Sequence, residues 1–239
     1  MNSRHTLTVG RDRFRIGPWH ADGAIAYLAL PPEVPRPSVE GLRRCLVRIA
    51  EAGYSSVITS ALHPDEAASF LQTGFEEYDR LRVLSHGLAD LDPPRPALSV
   101  PARLRRARRR DRDLALVVDA RAFPTFWRLD RTALDEAEQA TPVSRFRVAH
   151  LDDRVVGYAI TGRGAGQGFL QRLATDPDVA GHGVGSALVI DALRWSARRR
   201  ARRVLVNTQR ENTRALDLYR RLGFEPTPTD LVVLRRPVP

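Results

Sequence analysis

The sequence predicts an α/β (α+β) fold: a mixed, partly parallel sheet flanked by helices, arranged as two tandem units of which the first is partial. Strand-like and helix-like segments alternate through the second half of the chain, which is typical of such layered folds. Features of that half also occur 149 positions earlier. With 239 residues the chain has room for two domains. We therefore predict domains at 1–91 and 101–239, joined by a linker at 92–100.

Proline marks the predicted linker. The stretch from Gly87 to Pro101 carries four prolines after a strand-like run. Proline has no backbone N–H to donate, so helices and central strands avoid it. The arginine-dense segment ARLRRARRRDRD follows, and the second domain begins there.

Apolar spacing and turn residues predict the elements of the second domain in order. Predicted helices lie at 114–123, 132–139 (starting near Asp130), 187–200 and 213–222 (ending at Gly223). Predicted strands lie at 145–149, 155–161, 168–175, 204–207 and 231–234.

Composition excludes several classes of protein. All 38 basic residues are arginine, so a lysine Schiff base and a Walker phosphate loop are excluded. A single cysteine, Cys45, excludes an internal disulfide and a thiolate zinc cluster, and we expect it to pack inside a helix. No apolar run reaches the length of a membrane span, and no secretory signal is evident, so we expect a cytoplasmic protein.

A glycine-rich loop joins a predicted strand to a predicted helix. In LATDPDVAGHGVGSAL, from Leu173 to Leu188, the strand ends at Asp176-Pro177 and three glycines alternate before the helix. Inward-pointing amides and the positive end of a helix dipole together form a phosphate cradle. A plain tight turn is the structural alternative. A dinucleotide-binding loop is disfavoured, because that fingerprint is GxGxxG at the start of a domain.

A second motif runs from Asn212 to Phe224. Asn212 stands at the start of a helix, and Tyr219 follows two turns later on nearly the same face. Alone, this pattern is that of an amphipathic helix with a half-buried tyrosine. Its position after the glycine loop favours a functional site.

Together the two motifs resemble the GNAT superfamily of acyl-CoA N-acyltransferases over roughly Pro101 to Pro239. The resemblance implies a GNAT-like sheet and acetyl-CoA as cosubstrate, without a metal. It also implies that the loop amides bind the CoA pyrophosphate and that the strand edge binds the pantetheine arm. The implied cofactor-binding residues are Leu173, Ala174, Thr175, Gly181, His182, Gly183, Val184, Gly185, Ser186 and Asn212. Ala180 departs from the family pattern, which has glutamine or arginine there.

The resemblance further implies that Tyr219 is the catalytic acid that protonates the departing thiolate. No general base is evident, because the strand before the loop offers Gln171 and no carboxylate. We interpret Glu211, His150 and Asp176 as surface or turn residues, and a water chain is an alternative base. The aromatic segment from Phe123 to Trp127 is interpreted either as a wall of the acceptor site or as core.

The first half reads as a degenerate copy of the second. A shift of 149 positions places Gly74-Phe75 on Gly223-Phe224 and Phe70 on Tyr219. His63 corresponds to Asn212, and 32–37, which contains three prolines, corresponds to the glycine loop. Phenylalanine has no proton to give and proline no amide, so we predict no cofactor site there.

Two functions remain open at this point. The first is an N-acetyltransferase that moves an acetyl group from acetyl-CoA to a primary amine of a small molecule or a protein N-terminus. The alternative is a non-catalytic regulatory protein that senses acyl-CoA or binds nucleic acid. The formal charge of +10 would attract nucleic acid. However, aromatics are not interleaved with the arginine runs, which disfavours that partner. We expect no membrane partner, and a homodimer is compatible with the sequence.

Overall fold

The computed structural model of the chain describes residues 4–20, 22–31, 36–89 and 98–238. The chain forms two compact units. The first comprises Met1–Val83, Gln209–Glu211 and Thr227–Pro239, and the second comprises Leu84–Thr208 and Asn212–Pro226. Within the described ranges, no helix has both the length and the apolar character needed to cross a membrane.

The described residues form strands and helices in the following order. The strands are β1 (His5–Val9), β2 (Asp12–Trp19), β3 (Asp22–Ala29), β4 (Ser56–Thr59), β5 (Glu76–Gly87), β6 (Arg103–Arg106), β7 (Val143–Leu151), β8 (Arg154–Gly164), β9 (Gln167–Thr175), β10 (Arg203–Gln209), β11 (Glu225–Pro226) and β12 (Leu231–Pro237). The α-helices are α1 (Val39–Glu51), α2 (Pro64–Leu71), α3 (Asp111–Ala122), α4 (Arg131–Gln139), α5 (Val184–Arg198) and α6 (Thr213–Arg221).

The first unit is a mixed sheet covered by helices. Its strands follow the order β1-β2-β3-β4-β12-β5, and β3 and β4 run parallel while the other neighbours run antiparallel. The apolar face of α1 packs into its core, where Cys45 is fully buried. Burial raises the pKa of the Cys45 thiol to about 12, so the thiol stays protonated and inert. The predicted packing role of Cys45 is confirmed.

The second unit contains a sheet in the order β10-β9-β8-β7-β6. Only the pair β9 and β10 is parallel. One core lies between this sheet and α5 with α6, and a separate core lies between the sheet and α3 with α4. A mixed sheet flanked by helices is the predicted fold class, which is confirmed.

Most predicted elements of the second half are present. Asp130 caps α4 by accepting a hydrogen bond from the amide of Ala133, and Gly223 follows α6 with φ of +83°. Helix α5 begins at Val184, three residues before the predicted start, because Gly183 is its N-cap. Strand β6 was not predicted, because its residues Arg103–Arg106 form part of an arginine-dense stretch without a strand-like apolar pattern.

The unit boundaries differ from the predicted domains. Strand β12 belongs to the first unit, because it lies between β4 and β5 there. Its Val232, Val233 and Leu234 are buried. Strand β5 starts in the first unit, and its last residues, Leu84 to Gly87, belong to the second. Of the predicted linker, 92–97 lies outside the described residues.

The segments that the predicted repeat aligns contain elements in a similar order. Helix α2 begins at Pro64 with His63 as N-cap, and α6 begins at Thr213 with Asn212 as N-cap. Gly74 and Gly223 follow these helices with φ of +82° and +83°. A parallel strand pair precedes each of them, β3 with β4 and β9 with β10.

Candidate active site

The candidate site lies where β9 and β10 separate. Their parallel pairing comprises Val204 with Gly168 and Leu205 with Phe169. Strand β9 then continues for six residues to Thr175, paired with β8 on its other side. Alternate backbone groups of an antiparallel strand point away from its partner. The edge from Leu173 to Thr175 therefore presents unpaired backbone groups toward the gap.

A β-bulge in β9 sets the direction of the side chains next to this gap. Ile160 of β8 pairs with Arg172 and Thr161 pairs with Leu170, so Gln171 is the extra residue. A bulge reverses which face the following side chains take. Leu170 and Leu173 consequently both face the α5 side, whereas Arg172 reaches the α3 side.

The glycine loop leads directly from β9 into α5. Gly181 and Gly183 have φ of +78° and +83°, a left-handed conformation that side chains disfavour. Gly183 is the N-cap of α5, and its carbonyl accepts the amide of Ala187 at 2.9 Å. The glycines are therefore required by the backbone path as well as by any ligand.

Several amides of this loop are free to bind an anion. Within the described residues, no acceptor faces the amides of Gly181, Gly183, Val184, Gly185 or Ser186. The last three belong to the first turn of α5, where the positive end of the helix dipole lies. Val184 is 1% exposed, and its side chain packs in the core beside α5.

His182 is held within the loop. Its amide donates to the carbonyl of Val179 at 3.3 Å, and its Nδ1 donates to the carbonyl of Ala180 at 3.0 Å. The carbonyl of His182 accepts the amide of Ser99. The backbone N–H and the Nδ1–H of His182 are thus both used in hydrogen bonds within the protein.

Asp176 fixes the start of the loop. It is 3% exposed, accepts the amide of Asp178 at 3.0 Å and pairs with Arg121 at 2.7 Å. The sequence-based interpretation of Asp176 as a turn residue agrees with this position. Both of its carboxylate oxygens are thus engaged by groups of the protein, so Asp176 acts as part of the loop structure.

The second motif places Asn212 and Tyr219 on α6. The Asn212 side chain accepts the amide of Ala215 at 3.2 Å and donates to the Thr208 hydroxyl at 3.0 Å. This side chain is therefore engaged in capping the helix, and its predicted contact with the cofactor stays a prediction. Tyr219 is 4% exposed and lies among the apolar residues between α5, α6 and the sheet.

The environment of Tyr219 keeps its hydroxyl protonated. Burial is the larger effect and raises the pKa of Tyr219, while the positive charge of Arg172 lowers it in part. Within the described residues the hydroxyl has no hydrogen-bond partner. Tyr219 therefore carries a proton at neutral pH that no neighbouring acceptor binds.

A buried ion pair on the other face of β9 was not identified from the sequence. The carboxylate of Asp119, on α3, is fully buried and accepts two hydrogen bonds from Arg172 at 2.8 and 2.9 Å. It also accepts the hydroxyl of Tyr158 and the amide of Leu129. All its strong acceptor positions are thus in use, so Asp119 cannot serve as a free base.

Arg172 connects this ion pair to the aromatic segment. Its guanidinium stacks at 3.5 Å from the centre of the Phe123 ring and donates to the carbonyl of Trp127 at 2.8 Å. Phe126 and Trp127 contact each other edge to face, and all three aromatic side chains are half-buried. The segment is therefore attached to β9 next to the gap and leaves part of each ring accessible.

Known proteins are similar to this chain over the regions that contain the glycine loop and α6. The sequence profile described as "Acetyltransferase (GNAT) family" matches residues 114–224. A mycothiol acetyltransferase of Saccharomonospora viridis is 30% identical over 71% of this chain and 60% of its own length. One of Geodermatophilus obscurus is 31% identical over 90% of this chain and 75% of its own length. The chain thus spans about 60% of the length of the first curated relatives it matches.

Solved structures share the fold at low identity. A tandem GNAT protein from the clavulanic acid biosynthesis pathway superposes with a TM-score of 0.65 at 16% identity, over 95% of this chain and 79% of its own. A GCN5-related N-acetyltransferase from Kribbella flavida gives 0.63 at 17% identity, over 98% of this chain and 90% of its own. These structures share the fold, and the curated relatives together with the profile match establish that the chain belongs to the GNAT acetyltransferase family.

Proposed function

We propose that this chain is an acetyltransferase that moves an acetyl group from acetyl-CoA to a primary amine by direct transfer. One observation carries the proposal: the unpaired edge of β9 ends at a loop of free amides, with a protonated tyrosine in the core next to the same gap. Family membership supports the same reaction class.

The residues of the loop fit the anionic part of CoA. Five free amides, from Gly181 and from Gly183 to Ser186, stand at the positive end of α5. Helix N-termini with this arrangement are well suited to bind phosphate groups. We assign the pyrophosphate to these amides. We assign the pantetheine arm to the β9 edge from Leu173 to Thr175. The backbone groups of this edge that β8 does not bind are available to pair with the arm, as they would with a neighbouring strand.

Three chemical requirements define the reaction at this site. When bound, acetyl-CoA supplies an activated thioester. The protein must polarise its carbonyl, provide a neutral amine in reach and give a proton to the departing sulfur. A β9 amide is the group we assign to the carbonyl, and Tyr219 is the group we assign to the proton.

The proton released by the amine requires an acceptor. Asp176 is ion-paired and Asp119 accepts four hydrogen bonds, so neither is a candidate. Glu211 is exposed and belongs to the first unit. We therefore assign this role to water at the open side of the gap.

The acceptor is proposed from the relatives and from the aromatic segment. The curated relatives are named mycothiol acetyltransferases, and we propose a mycothiol-related amine as the first acceptor to test. Phe123, Phe126 and Trp127 would form its wall, held in place by Arg172. The positive net charge of +10 disfavours cationic polyamines as acceptors.

The loop assignment predicts the effect of removing a single amide. Gly185 is the second residue of α5, where proline is tolerated. We expect Gly185→Pro to weaken CoA binding at least about tenfold, because one charge-assisted hydrogen bond to phosphate is lost. Calorimetric titration with CoA measures this effect.

Gly185→Ala is the matched control. It keeps the amide and adds a Cβ 3.3 Å from the flexible end of Leu218. We expect nearly unchanged affinity for this variant. Equal CoA affinity for the folded proline variant and the parent would show that the loop does not bind the pyrophosphate.

The first unit is proposed to be a degenerate GNAT-like domain without a cofactor site. Its parallel strands β3 and β4 pair along all four residues of β4, from Ser56 to Thr59. The amides of Ser55 and Ser60 extend this ladder. Among the residues that the structure describes, these two strands leave no gap comparable to the one beside β9, and Phe70 stands where the second unit has Tyr219. Of the corresponding segment, 32–37, residues 32–35 lie outside the described residues.

This assignment predicts the stoichiometry of binding. We expect calorimetry with CoA to give one site per chain, and the Gly185→Pro variant to weaken that single site. A second site of similar affinity that survives in the variant would contradict the assignment.

A further inference from the structure

A cavity with an unusual concentration of arginine lies in the second unit, away from the gap beside β9. It has a volume of about 630 Å³ and is formed by the ends of β6, α3, α4, β7 and α5. Its lining contains seven arginines and one carboxylate, that of Glu138. The arginines are Arg106, Arg108, Arg109, Arg112, Arg145, Arg147 and Arg199.

The carboxylates around this cavity do not balance its charge. Arg112 pairs with Glu138 and Asp135, while Arg145 and Arg147 share the single carboxylate of Asp191. Four further lining arginines have no ion pair among the residues that the structure describes. They are Arg106, Arg108, Arg109 and Arg199. The cavity therefore carries a substantial net positive charge.

This concentration of positive charge is energetically unfavourable in several places. Arg106 and Arg147 lie directly opposite each other on neighbouring strands, an arrangement that destabilises a sheet when the charges are alike. Burial, followed by repulsion from Arg147 and Arg198, lowers the pKa of Arg145 against the attraction of Asp191. The buried Nη1 of Arg145 has no hydrogen-bond partner. An anion in the cavity would offset the repulsion between these like charges.

The lining also indicates how a ligand is recognised. Two aromatic rings contribute to it, Phe146 and Trp195, and both are nearly buried. The guanidinium of Arg112 lies 5.8 Å from the centre of the first ring, and that of Arg199 lies 5.9 Å from the second. An open ring face for stacking a base is therefore not part of this lining. Recognition rests on charge and on the planar donors of arginine, which match phosphate oxygens.

We propose that this cavity binds a small soluble polyphosphate, a compact ligand with two or more linked phosphate groups. The absence of an open stacking surface favours such a ligand over a nucleic-acid strand, which needs an extended track with exposed aromatics. This site is separate from the loop at Gly181 to Ser186, so its occupancy does not depend on the proposed acetyl transfer.

Inorganic tripolyphosphate is the probe that tests the proposal. The full chain is titrated calorimetrically at 150 mM salt (roughly physiological ionic strength) with CoA present in saturating amount, so that the glycine loop is not the site observed. We expect one saturable site. ATP should bind no more tightly than tripolyphosphate, because no ring face is open for its base.

A charge-matched pair of variants assigns the site. Arg106→Gln/Arg109→Gln removes two exposed, unpaired arginines of the cavity, and we expect its dissociation constant to rise at least about tenfold. Arg13→Gln/Arg43→Gln removes two exposed arginines of the first unit and lowers the net charge equally, so its affinity should change less than about twofold. Thermal unfolding verifies that both variants fold.

Three results would overturn the proposal. They are the absence of saturable tripolyphosphate binding, equal weakening in the two double variants, and binding of single-stranded DNA that tripolyphosphate does not displace. If CoA itself does not bind, the titration is repeated without it. The comparison of the two variants still decides the assignment of the cavity.

Discussion

Replacing Tyr219 by phenylalanine is expected to lower kcat by at least ~10²-fold, the range for loss of a general acid. The change removes one hydroxyl and leaves a ring that fills the same space between α6 and the sheet. Affinity for CoA should stay nearly unchanged, because the loop amides are untouched. Steady-state kinetics with acetyl-CoA and an amine acceptor, together with a CoA titration, separate the two effects.

The pH dependence of the same pair of proteins adds a second test. Because burial raises the pKa of Tyr219 above its ordinary value of about 10, the hydroxyl keeps its proton throughout the neutral and mildly alkaline range. The rate of the parent should therefore not fall through loss of this proton between pH 7 and pH 9 (a window below the ordinary tyrosine value). Tyr54→Phe, a change of the same hydroxyl in the first unit, serves as control. A Tyr219→Phe variant as fast as the parent would exclude the acid role.

Replacing Asp119 by asparagine is expected to destabilise the second unit by about 3 kcal/mol, the lower end of the range for breaking a buried ion pair. The change leaves the guanidinium of Arg172, which is 16% exposed, without its counter-charge. Urea unfolding measures the loss. Asp113→Asn on the same helix is the control, since its pair with Arg131 is largely exposed and should contribute less than about 1 kcal/mol.

A double variant tests whether Asp119 acts through Arg172. Asp119→Asn/Arg172→Gln removes the unpaired charge together with the carboxylate, so it should recover part of the stability lost in Asp119→Asn. The double variant also removes the guanidinium that donates to the carbonyl of Trp127, so in it the aromatic segment loses this attachment. We expect KM for the acceptor to rise more than KM for acetyl-CoA. Additive losses in the double variant would show that the two side chains are not coupled.

The elements around the loop were predictable because each has a local signal. Gly183 and Gly185 before an apolar helix, and Asn212 before a helix that ends at Gly223, are patterns fixed by backbone conformation and capping. The predicted strand at 168–175 and helix at 213–222 agree closely with β9 and α6. For the same reason the family resemblance could be recognised from short segments.

The ion pair beneath the site has no such local signal. Asp119 and Arg172 are separated by 53 positions. Each stands in an otherwise apolar segment, where a single charged residue is typical of the solvent-exposed side of a helix or strand. Only the bulge at Gln171 directs Arg172 toward α3, and bulges depend on the register of the neighbouring strand. The one sequence feature that could have indicated this ion pair is that Asp119 directly follows the buried Val118 on α3.

The position of β12 depends on pairing between distant segments. Its apolar residues predicted a strand, but they do not specify which strands it joins. Its partners β4 and β5 begin more than 150 positions earlier in the chain. A fragment that starts near Pro96 would carry this strand without those partners, and its exposed edge would favour aggregation.

Amine-dependent release of the CoA thiol from acetyl-CoA tests the proposed acetyl transfer. The full chain is incubated with acetyl-CoA and with a panel of mycothiol-related amines, small primary amines and peptides with free N-termini. We expect thiol release that requires one class of amine, matches the acetylated product one to one and falls at least ~10²-fold in Tyr219→Phe. If the folded protein binds CoA but releases no thiol above background with any amine in the panel, the proposed acetyl transfer is contradicted and a CoA-sensing role is favoured.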